Sequence, residues 1–409
     1  MIKMYEVINN AYKENPFYYA KRKDKGTIES ISELPVICKN DIKENYDIIT
    51  KNLYEVEDWE DILQDTTSGS TGMYLKVFWK KKDYIRSLIP VWILRKKYYN
   101  IFPSNRLLFT FSGQYRDNTH VREGTNVITN DRQLGISTDV FNKRRLFEFY
   151  SVIIDFKPEW LILQPSMGNI LFECIEKYGE KPFENVRYVE YTGEYLTKEM
   201  IRKTRETLQC NVGNLYGLTE VNEVAFMCPQ GKLHCIESNV YVEILDKKGC
   251  EVPIGSGGEI CVTSLTNSIM PFIRYKTGDR GKLSNACNCG CGNKGNILSI
   301  DRGRTSEYVV LQTGERLSTN IFFDIVQFIN EEVGNSIKQF QIVQEEINRY
   351  KVSFSINKEY ITWKETIMET FVQQAAQKGL EDVNWEFSFS RDYLTALPSG
   401  KLNFFYSKI

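Results

Sequence analysis

The sequence predicts an α/β fold, with a large N-terminal α/β domain that includes a β-subdomain (residues 1–304) and a small α+β C-terminal domain (residues 305–409). Three observations predict it. The chain of 409 residues exceeds the size at which one hydrophobic core usually stops growing, so at least two domains are expected. Helical and strand patterns alternate between Lys143 and Tyr216, which indicates a parallel sheet with crossover helices. After Val240 the pattern changes to hairpins, and a final stretch of about 105 residues is an ordinary size for a small domain.

The alternating region begins with an amphipathic helix over 143–154 and an apolar strand, Trp160-Leu161-Ile162-Leu163, followed by a helix through Leu171 to Ile175. The order then repeats: Val186 to Tyr191 reads as a strand, Thr197 to Thr207 as a charged helix, and Cys210 to Tyr216 as the next strand and its exit loop. Short apolar runs bounded by turns fit buried strands, and ligands bind at the C-terminal ends of such strands. Val240 to Leu245, a turn at Asp246-Lys247-Lys248-Gly249, and Gly258 to Thr263 form a hairpin pattern. In the last domain Tyr308 to Leu311 reads as a strand, Ile321 to Glu332 and Trp363 to Lys378 as helices, and Trp385 to Phe389 as a strand.

Composition narrows the partners. With 52 Lys plus Arg against 53 Asp plus Glu, no net field draws the chain to nucleic acid or to an acidic membrane surface. The start of the chain lacks an apolar signal core, and no apolar run approaches the length that spans a bilayer; the stretch from Leu88 to Leu94 is short and broken by Pro90. Ten cysteines without a secretory signal, three of them crowded at Cys287, Cys289 and Cys291, favour a reducing cytoplasm and metal binding over a disulfide framework.

Residues Thr66-Thr67-Ser68-Gly69-Ser70-Thr71-Gly72, with Lys76 beyond, alternate hydroxyls with glycine. Such a loop lets backbone N–H groups and side-chain hydroxyls surround a polyphosphate. It is not a Walker loop, because the run Met73 to Trp79 that follows Gly72 reads as a strand and not as a helix opening on Gly-Lys-[Ser/Thr]. Downstream, Tyr216-Gly217-Leu218-Thr219-Glu220 follows a buried strand and offers a carboxylate to a magnesium ion, and Arg274 to Asp279 sets an acid beside a glycine turn. Standing alone, each of these is equally a polar turn.

Together they resemble the adenylate-forming acyl- and aryl-CoA ligase superfamily, and within it the phenylacetate-CoA ligase branch. The resemblance spans Thr66 to Lys401 through the loop at 66–72, Tyr191-Thr192-Gly193-Glu194, Tyr216 to Glu220, Pro271 to Asp279, Gly303-Arg304 and Leu397-Pro398-Ser399-Gly400-Lys401. It implies that Thr67, Ser68, Gly69, Ser70, Thr71 and Gly72 hold the ATP phosphates and that Gly193 and Glu194 border the adenine. Asn214, Tyr216 and Gly217 would line the nucleotide, Thr219 would lie near the α-phosphate, Glu220 would bind Mg²⁺, Asp279 would bind the ribose, and Arg304 would contact nucleotide. Lys401 is the implied catalytic lysine, neutralising the charge that develops as a carboxylate attacks the α-phosphate. Ser166, Tyr191 and Gly193 are candidates for the acid pocket, with Phe111, Ser112, Gln164 and Pro165 nearby in the predicted loops. The family's pattern is departed from at Tyr74, where many relatives carry proline, and at Ser306, where a hinge aspartate is usual.

The resemblance also places a cysteine-glycine element at Cys289-Gly290-Cys291-Gly292. With Cys228 and His234 it would make a closed, structural zinc site; Cys287 competes with Cys289, and Cys235 is a weaker contributor. The implied reaction is ATP-dependent formation of an acyl- or aryl-adenylate from a small carboxylic acid, expected to be aromatic. A mobile small domain then withdraws Lys401, and the acyl group passes to the thiol of CoA. A stand-alone enzyme loading the phosphopantetheine of a carrier protein would share these motifs, and a non-catalytic nucleotide-binding protein is the contrasting class. A cytoplasmic protein, without nucleic-acid or membrane partners, is expected, and a homodimer is left open.

Overall fold

The computed structural model describes residues 2–21, 28, 30–56, 58–67, 75–111, 127–137, 146–286, 289–304, 308–314, 316–334, 336–392, 394 and 404–409. Ser68, Gly69, Ser70, Thr71, Gly72, Ser112, Cys287, Ser306 and Lys401 lie outside the described residues. The chain divides into two compact units, Met1–Asp301 and Arg302–Ile409.

The first unit opens with helices α1 (Ile2–Glu14), α2 (Pro16–Ala20), α3 (Lys39–Glu44) and α4 (Tyr46–Ile49). A hairpin of β1 (Ile62–Thr66) and β2 (Lys76–Lys80) leads into the long helix α5 (Lys81–Tyr99). Then come β3 (Leu107–Phe111), β4 (Val127–Thr129), β5 (Gln133–Ser137), α6 (Leu146–Phe156), β6 (Trp160–Leu163), α7 (Pro165–Tyr178), β7 (Tyr188–Thr192), α8 (Lys198–Leu208) and β8 (Asn211–Leu218). The rest is β9 (Asn222–Met227), β10 (Leu233–Cys235), β11 (Val240–Leu245), β12 (Gly257–Ser264), β13 (Tyr275–Ser284) and β14 (Ile297–Arg304).

One 12-stranded sheet carries this unit, in the order β11-β12-β13-β14-β10-β9-β8-β7-β6-β3-β5-β4. Strands β5, β3, β6, β7 and β8 pair in parallel, as the alternation of helix and strand predicts. From β8 to β9 the pairing turns antiparallel, and the hairpin strands after Val240 form a flank of this same sheet. The strand through Tyr216 runs on to Leu218, so Tyr216 and Gly217 belong to a strand and only Thr219 and Glu220 to the turn.

The helix α5 was not legible, because Pro90 stands inside it and proline in a helix interior removes a hydrogen bond and disfavours the preceding turn. Val91 and Tyr99 on α5 pack with Trp160, Tyr188, Leu215 and Phe226 of the sheet, and this burial outweighs the local penalty. Close packing also explains a glycine. A Cβ on Gly213 would lie 2.1 Å from the Tyr188 hydroxyl and 2.8 Å from its ring carbons, so only glycine leaves room for the ring on β7.

The second unit holds the hairpin β15 (Tyr308–Val310) and β16 (Arg316–Ser318), helix α9 (Asn320–Val333), strands β17 (Ile337–Glu346) and β18 (Arg349–Ile356), helix α10 (Lys364–Ala376), β19 (Asn384–Ser390) and β20 (Phe405–Ser407). Its sheet order is β19-β18-β17-β20, and an aromatic core around Phe322, Phe371 and Phe405 joins both helices to it. The hairpin β17–β18 was not apparent as a strand pair in the sequence, where polar residues interrupt its alternation.

Gly213→Ala should destabilise the first unit by about 1–3 kcal/mol through overpacking, and Gly213→Ala combined with Tyr188→Phe should recover part of the loss in denaturant melts.

Candidate active site

The site is built where the sheet changes direction at β8. Such a point opens a crevice beyond the C-terminal ends of the parallel strands. The Tyr216 hydroxyl donates to Asp279 Oδ2 on β13 at 2.7 Å, and the Tyr275 hydroxyl donates to Glu220 Oε1 at 2.8 Å. Two sequence motifs, 216–220 and 274–279, are thus tied to each other crosswise, each supplying a tyrosine to the other's acid. Arg274 anchors the start of β13. Its φ of 47° is left-handed, and its guanidinium meets buried Glu243 at 3.0 and 3.2 Å and donates to the Leu34 carbonyl at 2.6 Å.

The β1–β2 hairpin reaches the same place. Trp79 Nε1 on β2 donates to the Thr219 carbonyl at 3.4 Å, and burial raises the Asp65 carboxyl on β1, with Glu220 adding to the effect. Thr67 is buried and closes the base of the loop: its Oγ1 accepts from Leu75 N at 2.9 Å and from Lys39 Nζ at 2.8 Å.

Beyond β7, Gly193 holds a φ of 80°, a left-handed turn that favours glycine. Glu194 then accepts from Ser166 N at 2.9 Å and from Ser166 Oγ at 2.8 Å, so these two candidate residues are joined. Asn214 lies opposite Tyr191 on the neighbouring strand. Tyr191 departs from expectation. Its side chain is fully buried, bonds Thr204 Oγ1 at 2.8 Å, and rests against Gly168, so it serves the packing of α7 and α8 on the sheet rather than an acid pocket. Arg304 ends β14.

Cys228, His234, Cys289 and Cys291 converge, with all four ligand atoms within 4.8 Å of one another. Cys228 Sγ is 3.6 Å from Cys289 Sγ, which is 3.4 Å from Cys291 Sγ. His234 Nε2 is 3.3 Å from Cys289 Sγ and 3.4 Å from Cys291 Sγ. His234 Nδ1 lies 2.8 Å from the Gly295 carbonyl; a carbonyl can only accept, so Nδ1 carries the proton and the Nε2 lone pair faces the sulfurs. These spacings are near the edges of a tetrahedron with metal–sulfur bonds of about 2.3 Å, and an outer hydrogen bond on the imidazole is the usual companion of metal ligation. Topology makes the cluster: Cys228 and His234 flank the β9–β10 turn, and Cys289 and Cys291 lie between β13 and β14.

Three charged groups here were not singled out from the sequence. Arg95 on α5 is buried, and its Nε and Nη2 donate to Glu190 at 2.8 and 2.5 Å, while its guanidinium carbon lies 4.7 Å from the Trp92 ring centre and 5.2 Å from that of Trp160. The Tyr188 hydroxyl donates to Glu190 at 2.9 Å. Glu223, the third, lies on β9 opposite Gly217. The available signal was a glutamate inside the apolar run Tyr188-Val189-Glu190-Tyr191.

The tyrosine-bound carboxylates gather at the C-terminal end of β8 beside the β1–β2 hairpin, the end at which sheets of this kind bind ligands. The family model described as AMP-binding enzyme matches residues 39–271, more than half of the chain, and the chain belongs to that family. Its relatives place it in the phenylacetate-CoA ligase-like branch of the adenylate-forming superfamily. The chain is 26% identical over 301 residues to a phenylacetate-coenzyme A ligase of Pseudomonas putida, covering 68% of this chain and 64% of that protein. It is 26% identical over 296 residues to the phenylacetate-coenzyme A ligase of Aromatoleum evansii, with the same coverage of 68% and 64%. The match therefore spans just under two thirds of the length of these ligases. A crystal structure of 2-hydroxyisobutyryl-CoA ligase in the postadenylation state shares the fold, with a TM-score of 0.72 over 99% of this chain and 88% of that one at 15% identity. Among the described residues, no helix is long and apolar enough to cross a membrane.

Arg95→Met should cost about 3–5 kcal/mol at neutral pH, because it leaves the Glu190 charge buried without its partner. Denaturant melts should show part of that loss recovered in the Arg95→Met, Glu190→Gln double variant.

Proposed function

We propose that this chain activates a carboxylic acid with ATP, forming an acyl-adenylate and pyrophosphate, and then transfers the acyl group to the thiol of CoA. The observation that carries the reading is the crosswise pairing of Tyr216 with Asp279 and of Tyr275 with Glu220, beside the hairpin that ends at Thr67. These groups suit a nucleotide: Asp279 can accept both ribose hydroxyls, and Glu220 can hold Mg²⁺ together with phosphate oxygens. Bound magnesium supplies positive charge to the phosphates.

In the first step a carboxylate oxygen of the acid attacks the α-phosphorus, and the bond to the departing pyrophosphate breaks. Backbone N–H groups and hydroxyls of residues 67–72 hold the leaving group, and Lys401 offsets the charge that develops at the α-phosphate. In the second step the thiol sulfur attacks the acyl carbon, its proton is lost, and AMP departs. Residues 1–304 are assigned to nucleotide and acid binding and residues 305–409 to carrying the lysine. The phenylacetate ligases among the relatives support an aromatic acid. Cys228, His234, Cys289 and Cys291 are assigned to a structural zinc ion, since four protein ligands leave no place for a catalytic water.

ATP–pyrophosphate exchange across a panel of carboxylic acids tests the first step, and offering CoA or a phosphopantetheinyl carrier protein to the best acid tests the second. Exchange with no acid at all, in a protein that still binds ATP, would sink the enzymatic reading. Lys401→Ala should lower exchange about 100-fold or more with ATP affinity nearly unchanged; wild-type exchange by this variant would remove the role of Lys401. Metal analysis should find about one zinc per chain, lost together with several degrees of melting temperature in His234→Ala, and a metal-free protein of undiminished stability would refute the zinc assignment.

A further inference from the structure

Glu223 is a carboxylate that this scheme leaves unused, and its surroundings point to a ligand. It follows Asn222, whose left-handed φ is 58° and whose Nδ2 donates to Ser87 Oγ on α5 at 2.7 Å. Across the ladder it meets Gly217, where a Cβ would stand 2.9 Å from Glu223 Oε2; the missing side chain lets the carboxylate lie against β8, within the 216–220 motif. The residue keeps part of its surface open, yet burial pushes its carboxyl up to about 7, with Arg95 opposing the rise and Glu190 adding to it.

The groups that face it do not neutralise it. Arg95 has closed Nε and Nη2 on Glu190. The Tyr84 hydroxyl on α5 is itself pushed up to about 12, by burial first and by Glu223 and Asp65 in addition. Among the described residues the Glu223 carboxylate makes no hydrogen bond or ion pair. Buried acids elsewhere in the unit have a donor: Glu190 has Arg95, Glu243 has Arg274, and Glu220 has Tyr275. A buried carboxylate without a partner is costly, and this one lies opposite Gly217 near the C-terminal end of β8, the end at which sheets of this kind bind ligands.

We propose that Glu223 is the counter-charge for an ammonium group on the acid substrate, so that the protein activates carboxylic acids that also carry a protonated amine. This inference rests on the acid-activation reading and narrows its substrate class. An ammonium brings one positive charge and three hydrogen-bond donors. A site built around such a group rejects the apolar isostere strongly, because the isostere would leave the carboxylate desolvated and unpaired.

The test uses acids paired by size: phenylalanine with 2-methyl-3-phenylpropanoate, 4-(aminomethyl)benzoate with 4-ethylbenzoate, and 5-aminopentanoate with hexanoate. In ATP–pyrophosphate exchange the amine-bearing member of at least one pair should exceed its partner by about 100-fold or more in kcat/KM, and Glu223→Gln should reduce that preference to below about tenfold. Equal use of the neutral acids by wild type, or an amine preference unchanged in Glu223→Gln, overturns the proposal. If no acid supports exchange, the adenylation reading fails separately, and calorimetric binding of the same pairs decides: amine preference lost in Glu223→Gln sustains the Glu223 site, and equal or absent binding refutes it. A stability arm needs no substrate. A folded-state carboxyl raised above its unfolded value loses stability as pH rises from the ordinary glutamate range through about 7, so Glu223→Gln should gain more melting temperature at pH 8 than at pH 5. The same gain at both pH values would mean that Glu223 is not a buried acid and would count against the site.

Discussion

Arg95 reaches from helix α5 between Trp92 and Trp160 and places two donors on Glu190, and the seating of α5 on the sheet depends on that contact. A guanidinium and a carboxylate taken out of water cost several kcal/mol each unless their geometry is good; here the planar fork meets both carboxylate oxygens and the Tyr188 hydroxyl supplies a further bond. The aromatic rings around the pair hold α5 to β6, β7 and β9. With α5 fixed, Asn222 and Asn239 can both bond Ser87, which sets the β8–β9 turn and the orientation of Thr219 and Glu220.

The reversal of strand direction at β8 has a second effect. Because β8 runs parallel to β7 and antiparallel to β9, residues on the 216–220 segment face both the open ends of the parallel strands and the flank that carries β13. The tyrosine–acid pairs exploit this position. Each phenol gives its acid one hydrogen bond without adding charge and holds it in place. An arginine partner would have oriented them equally well and cancelled the charge.

Much of this was readable from residue patterns, and the limits have physical causes. Three of the parallel strands, β6, β7 and β8, were legible because runs such as Trp160 to Leu163 are apolar on both faces, and the carboxylate motifs because turn residues frame them; β3 and β5 were not. Helix α5 was hidden by Pro90, whose local cost is offset only by packing that a linear pattern does not display. The continuity of the hairpin flank with the parallel sheet was likewise invisible, since strand order is a long-range property. Tyr191 illustrates the opposite failure: a motif position drew attention to a side chain that points into the core, while its neighbours Gly193 and Glu194 line the loop. Glu223 could not have been found by type, because what distinguishes it is that no donor among the described residues meets its half-buried carboxylate.

The cysteine–histidine cluster also bears on the unfolded chain. Its residues are far apart in sequence, with Cys228 and Cys289 separated by 61 positions, and bringing such distant points together costs loop-closure entropy that grows only slowly with length. If one ion gathers all four ligands, it pins the β9–β10 turn to the β13–β14 connection, and strands β10 to β13 become part of a closed loop. A chain that has captured the ion before folding has then already met much of the entropic cost of assembling the antiparallel flank, so metal supply would govern the yield of folded protein.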